Sequence, residues 1–479
     1  MSQAIAEPKQ AGRDSSQVAA AVDALVRQGR IAMQAFEGAD QARVDEAVTA
    51  LAWSIYNPGH AQELAETAVR DTGLGNVPDK VIKNTRKTFG TLRDLMRERT
   101  VGIIEEDKAK GLVKYAKPVG VVGAITPSTN PAATPVNKAM MAVKGGNAVI
   151  VAPSPSGYAT TSKTVDYMRA ELKKIGLPED LVQILPSPVT REMTTLLMKA
   201  VDLVVVTGSQ NNVRGAYSSG TPAIGVGAGN VPVIIDSDAD FDDAAQKICA
   251  SKIFDNATSC SSENSVTIVE DCYEDAMAAL ERAGGYRASP EECARIRETL
   301  WKDGKLNRHI IARDPDIFAD LCGLPEAAKS AKFFMVEDQG IGPDYPFSGE
   351  KLSLALTIYK AKDFQAAKDH VQAILDYQGA GHSVGVHTNT PDHARSLAED
   401  LKVVRVLVNQ AHTFGNGGSF NNGLNFTLSM GCGTWAGNSI SENLNWRHFI
   451  NVTHLVTEIG EDKPSEEELF GDHWKRYGK

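Results

Sequence analysis

The 479-residue sequence has little of several things, and each absence excludes a class of protein. Its six cysteines fall at irregular spacing with no CxxC pair. A disulfide framework and a thiolate metal site are thereby excluded, no metal is expected, and a reducing compartment fits. No apolar run approaches the ~20 residues of a membrane span, and the first ten residues lack the apolar core of a signal peptide. The expected location is the cytoplasm. Charge of one sign is also missing: 50 Lys and Arg are interspersed with 60 Asp and Glu, for a net charge of −10. Such a surface suits neither nucleic acid nor an anionic membrane, so neither is expected as a partner. Internal repeats, low-complexity linkers and the GxGxxG dinucleotide fingerprint are absent as well.

What is present is a chain long enough to bury the cores of two or three domains without staples. Val18, Val22, Leu25 and Val26 recur at helical spacing, and so do Val44, Ala47, Val48, Leu51 and Ile55 before an Asn57-Pro-Gly stop. Residues 1–14, small and polar, are expected to form a loose tail. Residues 61–98 read as helical and carry Lys80, Lys83, Arg86 and Lys87, of which the three lysines share one face. That face is either solvated or a cationic patch at the mouth of a site for an anion. Residues 100–117 read as two strands around a polar turn, with little apolar surface to bury at home. Such an arm commonly pairs with a second chain, and residues 449–457 read as a further strand for it.

After Pro118 the composition changes. Apolar runs at 119–126, 148–152, 181–185 and 203–206 alternate with helical segments, which predicts an α/β fold with a parallel sheet covered on both faces. Thr207-Gly208 follows the last run directly and opens a helix, where a pyrophosphate could sit or where an ordinary β–α turn would look the same. Gly225, Gly227 and Gly229 at alternate positions leave one face bare for a ligand or another backbone. A second region of strands and helices runs from 237 to about 430.

Cys260 stands in a polar loop, Phe254-Asp-Asn-Ala-Thr-Ser-Cys-Ser-Ser-Glu, between apolar segments. A thiol offered from such a loop can be reached and ionised, whereas a cysteine among aliphatic side chains is an inert filler. With a nearby amide donor and a phosphate turn, the chemistry suggested is attack on a carbonyl followed by hydride transfer.

Asn130 in Pro127-Ser-Thr-Asn-Pro, Thr207-Gly208, the glycines of 225–230, Cys260 and Glu350-Lys351 stand in the order and spacing of the aldehyde dehydrogenase superfamily, and the resemblance covers nearly the whole chain. Residues 216–230, Phe254-Asp-Asn with Cys260-Ser-Ser-Glu, and Gly431-Cys-Gly-Thr-Trp-Ala-Gly-Asn resemble its CoA-acylating branch. The resemblance implies a Rossmann-type cofactor domain over 1–99 and 118–236, an α/β catalytic domain over 237–444, and an oligomerisation arm from 100–117 with about 445–460. It implies a homodimer or homotetramer.

Further implications concern the site. Cys260 would be the nucleophile, Asn130 and the Cys260 backbone N–H the oxyanion donors, and His382 the activating base. Thr126, Pro127, Ala152, Ser154, Thr207, Gly208, Gly227 and Glu350 would bind the cofactor. Ala152 stands where many relatives have a lysine, and the short hydroxyl side chains of Ser154 and Ser156 that follow leave room for a 2′-phosphate and can bond it, which favours NADP without excluding NAD. Hydrolytic relatives carry a glutamate that activates water; here the matching position is Val226, so CoA is the expected acyl acceptor. Ser261, Lys87 and His412 are the candidates to bind the tail of an anionic aldehyde. Residues 421–427 and 464–472 look most like the sulfoacetaldehyde-oxidising members. Sulfoacetaldehyde is thus the expected substrate, with succinate semialdehyde or acetaldehyde, and then a hydrolytic enzyme, as alternatives.

Overall fold

A computed structural model of the chain describes residues 14–479, so the tail expected over 1–14 lies, but for its last residue, outside the described residues. Four helices come first: α1 (Ser15–Phe36), α2 (Gln41–Tyr56), α3 (Pro58–Thr72) and α4 (Val77–Met96). Each break has a local cause. Asp40, Asn57 and Asn76 cap the next helix through their side chains, and Gly73 ends α3 in the left-handed region at φ 65°. The single helical stretch expected over 61–98 is therefore two helices.

Strands β1 (Gly102–Asp107) and β2 (Leu112–Pro118) form the expected antiparallel hairpin. Then come β3 (Val121–Thr126), β4 (Ala148–Pro153), β5 (Val182–Ile184), β6 (Leu203–Val206) and β7 (Ala223–Gly225), a parallel sheet in the order β5-β4-β3-β6-β7. Every residue of β3, β4 and β6 is buried, as strands with both faces covered require. Helix α5 (Ala133–Lys144), buried along its whole length, and α2 cover one face; α1 packs on the other.

Strand β8 (Val231–Ile235) begins a second sheet with β9 (Glu263–Val269) and β10 (Gly285–Arg287). A small ribbon, β11 (Trp301–Lys302) and β12 (Lys305–Leu306), precedes β13 (Phe333–Glu337), β14 (Ala355–Ala361), β15 (Val384–His387) and β16 (Val406–Val408). The seven-stranded sheet is parallel throughout in the order β10-β13-β14-β9-β8-β15-β16. This corrects one expected boundary: β8 belongs to the second unit, not to the one ending at 236, because its ladder partners are β9 and β15. The final strand, β17 (Ile450–Val456), pairs with β2, so the arm is a three-stranded sheet.

The connection from β7 to β8 decides where the site lies. It leaves the carboxyl end of the first sheet and enters the amino end of the second. Thr126, Pro153 and Val206 end strands of the first sheet, whereas Cys260, Glu350 and His382 lie just before β9, β14 and β15. The two sets of chain ends face a common crevice, the usual place for a ligand in open α/β sheets.

Candidate active site

The loop carrying Cys260 is held under strain. Asp255, Asn256 and Ala257 all have left-handed φ, at 51°, 52° and 60°. Side chains other than glycine pay roughly 1–2 kcal/mol each for that conformation. Several bonds enforce it. The Asp255 carboxylate accepts from Lys80 Nζ at 3.0 Å, Lys83 Nζ at 2.5 Å and Thr258 Oγ1 at 2.7 Å, and Asn256 Nδ2 donates to Asp314 at 2.7 Å. Gly75 admits this carboxylate: a Cβ there would lie 1.8 Å from Asp255 Oδ1. The two lysines hold the Asp255 carboxyl below its usual range against the opposing effect of burial.

Cys260 itself is partly exposed and forms no disulfide. Its thiol is pushed up to about 12, first by burial, then by the Glu350 carboxylate and Cys432 beside it, with Arg405 acting in the opposite direction. In these surroundings the thiol holds its proton and needs a base or a bound cation to ionise. Gly229 lets the β7–β8 connection pass against it, since a Cβ there would sit 2.6 Å from both Cys260 Cβ and Glu350 Oε1. Gly227, one alternate position away, meets Cys432 in the same manner, its Cβ 2.8 Å from Sγ. The alternating glycines serve the close backbone approach that their spacing suggests.

A cleft opens beside the Cys260 loop, lined by Ser259, Ser261, Asn130, Arg86, Lys87 and Phe414 among others. Asn130 Oδ1 is buried without a partner, and its Nδ2 has only a 3.5 Å contact to Thr129 Oγ1. An amide so weakly engaged can turn its N–H toward an oxyanion. Ser261 is buried, accepting from Asn416 Nδ2 at 2.9 Å and lying 3.3 Å from Met430 Sδ. Lys87 donates to Gly417 O at 2.9 Å. Burial brings its ammonium down to about 7, with Arg86 and Lys83 adding to the effect.

The two histidines differ in their surroundings. His382 pairs through Nδ1 with Ser383 Oγ at 2.7 Å, and its Nε2 is buried with no partner. Burial, with Arg405 and His412 nearby, keeps the ring neutral. It is thus a base with an open nitrogen. His412 points Nδ1 at the backbone oxygen of Ser261, 3.0 Å away, so that nitrogen carries the proton, and burial lowers the ring to about 3. Its Nε2, like that of His382, is buried without a partner, and its Nδ1 bond braces the Cys260 loop.

The cofactor candidates lie along the first sheet. Thr126 Oγ1 is buried without a partner, and Thr207 Oγ1 meets Ser429 Oγ at 2.5 Å. Gly208, at φ 153°, borders open space: the nearest atom to a Cβ added there would be Pro127 Cβ, 4.0 Å away. Pro127 is partly exposed beside them, and Ser154 and Ser156 offer exposed hydroxyls 3.1 Å apart at the end of β4. Ala152 is buried in the core with Leu185 and Met193 and presents no surface of its own. The Glu350 carboxyl has no hydrogen bond among the described residues, and burial raises it to about 8. An orphan hydroxyl, an open glycine cradle and a free carboxyl fit a dinucleotide laid across the ends of β3, β4 and β6.

Sequence reasoning missed Arg405 and Cys432. Arg405 is buried; it donates to Asn443 Oδ1 at 2.8 Å, Gly431 O at 2.8 Å and His382 O at 3.1 Å, and so ties the histidine loop to the segment carrying Cys432. The signal was present as a lone arginine inside the apolar run 403–408.

A cysteine on a strained loop, a weakly engaged amide beside a cleft and an open glycine turn at the end of a parallel sheet are the features of an α/β enzyme of the kind that comparison with known proteins identifies. Residues 6–284 match the aldehyde dehydrogenase family. An acylating sulfoacetaldehyde dehydrogenase of Cupriavidus necator is 53% identical over 462 residues, which is 96% of this chain and 94% of that protein. Its counterpart from Bilophila wadsworthia is 44% identical over 444 residues, 92% of this chain and 95% of that one. The crystal structure of an acetylating aldehyde dehydrogenase from Geobacillus thermoglucosidasius superposes with a TM-score of 0.90 at 33% identity, covering 95% of this chain and 100% of that one. The chain belongs to the aldehyde dehydrogenase family.

Proposed function

We propose that the protein is a CoA-acylating aldehyde dehydrogenase that oxidises a short anionic aldehyde, with sulfoacetaldehyde to sulfoacetyl-CoA as the leading case. One observation carries the reading: Ser259 and Ser261, the residues on either side of Cys260, line a cleft with Asn130, while the position of the water-activating glutamate is Val226, a buried apolar residue. The names of the relatives from C. necator and B. wadsworthia support the substrate.

In this reading the thiolate of Cys260 attacks the aldehyde carbon, and the oxyanion that forms is held by Asn130 Nδ2 and the Cys260 backbone N–H. Removing one such donor costs about 10²–10³ in rate. A bound oxidised nicotinamide supplies the hydride acceptor, and its charge favours the thiolate. The Cys260 thioester left behind meets no water-activating carboxylate from position 226. His382 Nε2 can take the proton of the CoA thiol, which then displaces the Cys260 thiolate. Thr126, Pro127, Thr207 and Gly208 would cradle the phosphates and Glu350 the nicotinamide ribose; Ser154 and Ser156 suit a 2′-phosphate and favour NADP over NAD.

The arm adds an assembly. Val452, Leu455 and Val456 of β17 are 39, 50 and 68% exposed, apolar surface suited to a second copy in a homodimer or homotetramer. Among the described residues no helix is long and apolar enough to cross a membrane, and a cytoplasmic location is part of this proposal.

The test is the initial rate of NADP and NAD reduction with sulfoacetaldehyde, succinate semialdehyde and acetaldehyde, each with and without CoA. Strict CoA dependence with preference for an anionic aldehyde is expected. Equal rates without CoA would return the hydrolytic reading to first place.

A further inference from the structure

Helix α4 brings four cations toward the crevice, but only two of them meet an acid. Lys80 and Lys83 share Asp255. Arg86 and Lys87, one turn on, form no ion pair among the described residues. Arg86 Nη2 donates to Ser419 Oγ at 3.0 Å, whereas Nη1 is buried with no partner. The guanidinium lies 5.4–5.5 Å from the ring centres of Phe414, Phe420 and Phe426, which exclude water from it without neutralising it. Lys87 Nζ has one carbonyl, that of Gly417, and a Cβ at Gly417 would come within 2.8 Å of it. Both cations line the same cleft as Ser261 and Asn130.

Taking a cation from water costs several kcal/mol unless a counter-charge replaces the lost hydration. Among the described residues no such charge pairs with the half-buried Arg86 or Lys87, so an entering anion recovers the cost. We propose that Arg86 and Lys87 form the subsite that holds the anionic tail of the aldehyde, a sulfonate being the group it fits best; the proposal rests on the acylating reading above and deepens it. The guanidinium edge offers two parallel donors to two sulfonate oxygens, and the lysine offers a third to the remaining oxygen. A planar carboxylate must share one of its two oxygens between the guanidinium and the lysine, whereas a tetrahedral sulfonate gives each donor an oxygen of its own. The tail of a two-carbon aldehyde must also lie close to the carbonyl, and the pair flanks the pocket that Ser259 and Ser261 close on either side of Cys260.

The experiment compares Arg86→Met, Lys87→Met and the double variant with the full-length wild type, in the presence of CoA and NADP. The quantity read is the ratio of kcat/KM for sulfoacetaldehyde to kcat/KM for acetaldehyde. Loss of a charged hydrogen-bond partner predicts a fall in that ratio of about 30-fold for each single variant and more for the double. Lys87→Arg, which keeps the charge, should retain most of the ratio. A ratio within threefold of wild type in the double variant would overturn the proposal. A rise in KM for CoA with the ratio unmoved would do so too, because it would give the pair to the phosphates of CoA.

A second arm does not depend on turnover of the sulfonated aldehyde. Ethanesulfonate should inhibit acetaldehyde oxidation competitively in the wild type, and this inhibition should be lost in the variants. Absence of inhibition in the wild type sinks the subsite even if the enzyme is acylating. Inhibition without any CoA-dependent oxidation sinks the acylating reading and leaves the subsite standing.

Discussion

Successive turns of α4 carry similar charges with different fates: Lys80 and Lys83 are buried, Arg86 and Lys87 half-buried. At the amino-terminal end Lys80 and Lys83 close on Asp255 and fasten the strained turn before Cys260. Near its middle Arg86 and Lys87 meet carbonyl, hydroxyl and aromatic faces but, among the described residues, no carboxylate. A buried cation with its acid in place belongs to the scaffold. A buried cation without one holds a position for something the protein does not itself supply.

Breaking the first pair should have the largest effect. Asp255→Asn keeps a residue that tolerates left-handed φ, so the change isolates the charge. It leaves two buried ammonium groups uncompensated, and the expected loss is about 3–5 kcal/mol, read as a lower midpoint in thermal unfolding. The sign with pH follows from the same pair. The folded-state carboxyl of Asp255 is depressed, so its contribution is present above the ordinary carboxylate range and is lost as pH falls through the lowered value. Unfolding of the wild type in acid should therefore depend on Asp255, and the variant should show a flatter profile below pH ~4.

Giving the second pair an acid of its own sharpens the comparison. Ile82 is 44% exposed, lines the cleft and precedes Arg86 by one turn on α4. Ile82→Glu places a carboxylate at i,i+4 to the guanidinium, the favourable orientation on a helix. The ratio of kcat/KM for sulfoacetaldehyde over acetaldehyde should fall about fivefold, in keeping with a partly exposed ion pair worth up to ~1 kcal/mol. An unchanged ratio would mean that Arg86 does not face the substrate tail.

The smallest expected effect is in pH dependence. Lys87 is lowered to about 7, so it is charged below neutrality and loses its proton above it, while Arg86 stays charged. The KM for an anionic aldehyde should rise about threefold from pH 6 to pH 8 relative to that for a neutral aldehyde. In Lys87→Arg this differential rise should vanish.

Much of this site was legible along the chain. Continuous apolar runs marked β3, β4 and β6, because a strand buried on both faces has no polar position to reveal alternation. The polar loop around Cys260 and the alternating glycines at 225–229 carried their meaning locally, since each depends on which residues adjoin. The assignment of β8 to the first unit failed for a physical reason: an apolar strand reads the same whichever sheet receives it, and only its pairing with β9 and β15 distinguishes them. The three lysines placed on one face of α4 were likewise correct as periodicity and silent as to partners.

The sequence by itself determined most of the elements and singled out Cys260, Asn130 and Val226 as candidates, each through a residue and its near neighbours. Only the tertiary structure decided which cations are spent and which are free. Lys80 finds Asp255 across 175 residues, and Arg86 finds Ser419 across 333. Those meetings are set by the packing of two sheets whose opposite ends share one crevice. No local pattern encodes them, because the energy of a buried charge depends on what the fold places beside it and not on what precedes it in the chain.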